Sequence, residues 1–126
     1  SMPDDNSFDM LYDNLRAQET ISFWSTSFIR GVTMDNCIVI VDEFSNLNFH
    51  ELDSMITRIG EDSKIMLCGD ITQTDLVKEN EKSGIADFIK ILQSMREFTC
   101  VEFGIEDIVR SGLVKSYLLT KYNLGF

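Results

Sequence analysis

Apolar positions along the chain recur with two different periods. Phe8, Leu11, Tyr12 and Leu15 fall at the i, i+3, i+4, i+7 spacing of one helical face, and Ser7 ahead of them is a suitable N-cap. A second stripe of Leu52, Met55, Ile56 and Ile59 follows Asn48 and Glu51, whose three-residue separation makes a capping-box variant, and stops at Gly60. A third places Ile85, Phe88, Ile89 and Leu92 on one face after a polar stretch from Thr72 to Lys82, read as a loop. Between these helical patterns the apolar residues run together. Cys37–Val41 closes on Asp42-Glu43, and the run from Lys64 closes on Asp70. Runs of this length bounded by turn signals predict buried strands, and the helix between them supplies the crossover that parallel strands require. The unit is β-α-β.

Gly31 and the pair Asp35-Asn36 read as loop and turn, while Ile21–Ser25 is short and β-prone. A further strand is expected around Phe98–Phe103, then a turn, a short helical piece and a C-terminal helix carrying Leu113, Tyr117 and Leu118. The expected fold is therefore α/β, a parallel sheet with flanking helices. At 126 residues, 44% of them apolar, the chain suffices for one core, which predicts a single domain over 1–126.

Charge narrows the options. Twenty-one acids against 11 bases give a formal net charge of −10, a field that repels phosphate backbones and anionic membranes. No apolar run approaches the ~20 residues of a membrane span, so no membrane partner is expected. Cys37, Cys68 and Cys100 lie far apart in apolar or β-prone segments, without metal-ligand spacing, and read as buried free thiols suited to a reducing cytoplasm. His50, in the first turn of a helix, reads as a solvated surface group, and Trp24 as sheet packing rather than a base-stacking platform.

The chemistry gathers at the strand ends. In open parallel α/β sheets, ligands bind outside the carboxyl ends of the strands, where loops and helix N-termini converge. An apolar strand ending in Asp-Glu is the Walker B pattern: the aspartate holds Mg²⁺, usually through water, and the glutamate orients or deprotonates the attacking water. Asp42 suits the first role and Glu43 the second. Acids also flank strands merely as the start of a solvated loop, so this motif alone leaves both readings open. The segment Gly69-Asp70-Ile71-Thr72-Gln73 on the neighbouring strand favours the site, because Gln73 could then reach a γ-phosphate or the lytic water.

From Phe28 to about Lys121 the sequence resembles the PhoH-like proteins, P-loop ATPases with a RecA-type core related to superfamily 1 helicases. The pieces that carry the resemblance are "DE" at 42–43, "TRIG" at 57–60, "GDITQTDL" at 69–76, "KSG" at 82–84 and "DIVRSGLV" at 107–114, in order. The resemblance implies ATP and magnesium as cofactors, with Asp42 at the metal, Glu43 at the catalytic water and Gln73 sensing the γ-phosphate beside Asp70. It further implies that Arg110 contacts a phosphate of the same or a neighbouring subunit, the latter requiring a homo-oligomer, and that RNA or DNA is a partner through the helicase kinship. Arg30 and Arg58 match family arginines as well. Arg58 also lies late in a capped helix, where a cation favours the C-terminus with no ligand, and the role of Arg30 stays open.

The chain departs from the family pattern at Val32, where many relatives have arginine in "RGRT", and at Ser45, where many have glutamine in "DEAQN". These departures suggest a phage-type relative acting in a host cytoplasm. No G-x-x-x-x-G-K-[ST] loop occurs in the sequence, although a P-loop ATPase needs one to cradle the β- and γ-phosphates. With the opening "SMP" read as a protease-cleavage scar, the expectation is the C-terminal part of a longer ATPase, inactive alone. The competing expectation is a non-catalytic ATPase-like module for protein interaction or assembly.

Overall fold

The computed structural model describes residues 5–29, 31–70 and 79–126. Its contacts fall into two units, Ser1–Ile89 and Lys90–Phe126. The first unit holds helix α1 (Asp5–Ala17), strand β1 (Ile38–Val41), helix α2 (Phe49–Ile56) and strand β2 (Lys64–Leu67). Helix α3 (Glu79–Ser94) begins in it, and the second unit ends in helix α4 (Gly112–Asn123). The architecture is α/β, with a parallel sheet and flanking helices.

The two strands pair in parallel, Ile38 beside Lys64 and Val41 beside Leu67. Side chains alternate across a strand, so Val39, Val41, Ile65 and Leu67 share one face, buried or half-buried, while Ile38, Ile40, Lys64 and Met66 share the exposed one. Ahead of the strands the chain is already tied together: Met34 N–H donates to Arg58 O and Gly60 N–H to Met34 O, both at 2.8 Å. Gly60 is needed there for space. A Cβ on it would collide with the Asp35 carboxylate, whose Oδ1 accepts the Glu61 N–H at 2.9 Å. Its place in the sequence suggested a helix stop, but α2 already ends at Ile56, with Thr57 as its C-cap.

Helix α2 starts where its capping box puts it. Asn48 Oδ1 accepts the Glu51 N–H and Glu51 Oε2 accepts the Asn48 N–H, both at 2.9 Å, which satisfies two donors that an N-terminus otherwise leaves unpaired. Its stripe delivers Leu52 and Met55 to the core with Ile29, Val41, Phe44, Ile85 and Phe88. Phe88 of α3 meets Phe49 edge-on, ring centroids 6.2 Å apart. Gly84 comes so close to Phe49 that an added Cβ would lie 3.2 Å from its Cβ.

Several expectations fail for identifiable reasons. Helix α1 extends to Asp5, so Ser7 lies inside it and is no cap. Helix α3 starts at Glu79, so the last four residues of the stretch read as a polar loop through Lys82 are helical; Glu and Lys propagate helices well without adding to an apolar stripe. Residues 98–103 form no strand, and Val101 and Phe103 are 73% and 80% exposed. A β-prone segment becomes a strand only by pairing, and among the described residues this one has no ladder partner. Trp24 is 60% exposed outside the sheet, so it is not sheet packing. The three thiols are free, but Cys68 and Cys100 are exposed and Cys37 only half-buried. His50 is exposed, as its position in the helix suggested. No helix among the described residues is long and apolar enough to cross a membrane.

Candidate functional site

Because β1 and β2 are parallel neighbours with Val41 beside Leu67, their carboxyl ends leave the sheet together. Asp42 follows β1 directly, and Asp70 lies three residues beyond β2. The ladder continues past both strands: Cys68 N–H donates to Val41 O at 2.9 Å, and Phe44 N–H donates back to Cys68 O at 3.1 Å. The turn bearing Asp42 and Glu43 is thus bonded to the segment that leads to Asp70. Both carboxylates of the Asp42-Glu43 pair are exposed, as is Asp70, so they avoid the desolvation cost; the strands themselves are covered on one face only, not buried throughout as their apolar runs predict.

Phe44 locks this turn in place. The residue is buried, unlike its neighbours Asp42 and Glu43, and Gly69 lies against it: a Cβ at position 69 would sit 2.9 Å from Phe44 Cδ1 and 3.4 Å from Phe44 N. Phe44–Asn46 then form a single 3-10 turn, with Asn46 N–H donating to Glu43 O at 2.9 Å and Leu47 N–H to Phe44 O at 3.1 Å. To enter that turn Glu43 adopts φ 50 and ψ 43, in the left-handed region. Residues with a Cβ pay for such a backbone, and it concentrates at functional sites.

The side chains of the pair are held differently. Asp42 Oδ1 accepts the Glu43 N–H at 3.0 Å, while Oδ2 accepts no hydrogen bond among the described residues. Glu43 Oε2 accepts from Asn46 Nδ2 at 3.0 Å, and its Oε1 accepts none among the described residues. Asn46 was not singled out in the sequence. The available signal was its i+3 spacing from Glu43, which lets the two side chains meet across one helical turn.

Of the other candidates, Gln73 and Arg30 lie outside the described residues. Arg110 belongs to the second unit, exposed and one residue ahead of Ser111, the N-cap of α4. Arg58 is at the wrong end of the strands: its carbonyl and the Met34–Ile59 bridge precede β1 and β2, whereas Asp42 follows them. Its Nε is buried with no hydrogen bond among the described residues, and because α2 ends at Ile56 with Thr57 as C-cap, Arg58 lies beyond the last turn where a cation would favour the helix C-terminus. A cavity of about 290 Å³ beside the start of α2 is lined by Thr26, Ser27, Ile29, His50, Glu51, Ser54 and Met55, and includes neither Asp42 nor Glu43. Among the described residues no three His, Cys, Asp or Glu side chains converge as a metal cage.

Comparison with known proteins identifies the family of the chain. The family described as "PhoH-like protein" matches residues 7–122. "Protein PhoH" of Escherichia coli K12 is 36% identical over 92 residues, covering 73% of this chain and 26% of that protein. The "PhoH-like protein" of Bacillus subtilis is 33% identical over 115 residues, covering 85% and 36%, and that of Synechocystis 38% over 89 residues, covering 71% and 27%. The chain thus spans about a quarter to a third of the length of these relatives. No solved structure matches it. The match over nearly the whole sequence, residues 7–122, places the chain in the PhoH-like family.

Proposed function

We propose that this chain is the Walker B portion of an ATPase, whose phosphate cradle is supplied by a longer protein. The observation that carries the reading is the delivery of Asp42 and Asp70 to one edge of a parallel sheet by adjacent strands, where α/β folds bind their ligands. The donors suit magnesium. This ion keeps several waters and takes one or two carboxylates plus substrate phosphates rather than an all-protein cage, and Asp42 Oδ2 is uncommitted among the described residues. Asp42 would hold the ion or one of its waters; when bound, the ion neutralises charge on the β- and γ-phosphates.

Glu43 then acts on water. As the water oxygen bonds to the γ-phosphorus, the bond from that phosphorus to the β-γ bridging oxygen breaks and ADP leaves, with the water proton passing to Glu43. Gln73 beside Asp70 would sense the γ-phosphate, and Arg110 would add positive charge in cis or from a neighbouring subunit. Coupling to RNA or DNA is assigned to other parts of the longer protein, since a charge of −10 repels a phosphate backbone.

A phosphate-release assay on the longer protein and on the isolated chain tests the proposal: the former should hydrolyse MgATP and the latter should not. Turnover by the isolated chain that disappears in Glu43→Gln would mean it carries its own phosphate site. A longer protein with no turnover would favour the second reading, a non-catalytic interaction module. That reading draws on the open sheet face, where Ile38 and Ile40 are 67% and 64% exposed.

A further inference from the structure

The contact between Asn46 and Glu43 fixes one oxygen of the carboxylate proposed above as the base. A carboxylate only accepts hydrogen bonds, so the amide nitrogen of Asn46 must face Glu43 Oε2, 3.0 Å away. The two residues are joined a second time through the backbone, Asn46 N–H to Glu43 O at 2.9 Å. The 3-10 turn containing both bonds is anchored by the buried Phe44, with its N–H on Cys68 O and Gly69 leaving room for its ring. One oxygen of Glu43 is thereby tethered to a fixed donor, and the other, Oε1, accepts no hydrogen bond among the described residues.

A long exposed glutamate otherwise samples many rotamers. Tethering Oε2 restricts them and sets the direction of Oε1, which is the advantage that positioning gives to a base. Both residues are exposed, so the bond adds little to folding; its consequence is directional. We infer that Asn46 is a positioning residue, holding Glu43 so that Oε1 meets the attacking water. The inference rests on the catalytic role proposed above for Glu43.

The test is steady-state MgATP hydrolysis by the longer protein. Asn46→Leu removes the donor at similar size, and Asn46→Asp removes it at nearly the same shape. Each should lower kcat by about 10–100-fold, the usual effect of losing a supporting hydrogen bond to a site ligand, with KM for MgATP and the thermal midpoint close to wild type. In a Glu43→Gln background neither change should slow turnover further, because an orienting residue has nothing left to orient. Should Asn46→Leu fail to fold, Asn46→Asp carries the test. Wild-type kcat in the Asn46 variants beside a crippled Glu43→Gln overturns the inference and leaves the Glu43 assignment standing. Equal losses in both backgrounds overturn it too, since Asn46 would then act apart from Glu43. Full turnover in Glu43→Gln removes the catalytic reading itself, and this inference with it.

Discussion

Replacing Gly69 with alanine probes the contact that fixes the acidic turn. The new Cβ would lie 2.9 Å from Phe44 Cδ1, 3.2 Å from Cε1 and 3.4 Å from the Phe44 nitrogen. The first distance is well inside contact, and the ring cannot turn away freely because Phe44 is only 6% exposed. Nor can its backbone retreat without loosening the bond from Phe44 N–H to Cys68 O. Gly69 does not have a positive φ, so crowding, not backbone strain, sets the cost. Overpacking of this kind costs about 1–3 kcal/mol. At about 2.1 cal/mol/K of unfolding entropy per residue, each kcal/mol lowers the midpoint of a chain this long by about 4 °C. Urea and thermal unfolding of Gly69→Ala should therefore show a drop of about 4–12 °C. In a Phe44→Leu background, which vacates the ring edge, the same change should cost under about 0.5 kcal/mol. An unchanged midpoint for Gly69→Ala, or equal losses in both backgrounds, would refute the packing argument.

Three other expectations concern the same unit. Asn48→Ala removes the side-chain half of the capping box and should destabilise by about 1 kcal/mol in urea unfolding. Leu52→Ala, at a fully buried position, should cost about 2–5 kcal/mol, whereas Ile40→Thr on the open sheet face should stay within about 0.5 kcal/mol of wild type; similar losses at the two sites would contradict the assigned faces. Glu43→Gly relieves a left-handed backbone that costs a residue with a Cβ roughly 1–2 kcal/mol. It should raise unfolding stability while abolishing turnover in the longer protein, and a loss of stability would show that the conformation at Glu43 is not strained.

Local signals that agreed with one another were legible in the sequence. The two apolar runs became parallel strands because a capped helix of crossover length separates them, and that pairing alone brings Asp42 and Asp70 to one edge. The failures lie where the outcome depended on a partner. Phe98–Phe103 has the composition of a strand but pairs with nothing among the described residues, and Trp24, Cys68 and Cys100 are exposed where composition alone suggested packing. The packing that shapes the acidic turn was hidden for a different reason. Phe44, Asn46 and Gly69 act through one buried ring, one side-chain bond and one close approach, none of which has a period. The left-handed backbone at Glu43 was likewise invisible, since nothing about a glutamate announces φ 50.

The central claim is that adjacent carboxylates divide two tasks, Asp42 holding the metal and Glu43 serving the water. Comparing Asp42→Ala with Glu43→Gln in the longer protein, with nucleotide affinity and phosphate release measured on the same preparations, tests this most directly. Glu43→Gln should bind MgATP almost as wild type does and lose turnover by orders of magnitude, because its effect is confined to the transition state. Asp42→Ala should instead lose the magnesium-dependent part of nucleotide binding. Wild-type phosphate release by Glu43→Gln, or magnesium-dependent binding unchanged in Asp42→Ala, would contradict the account.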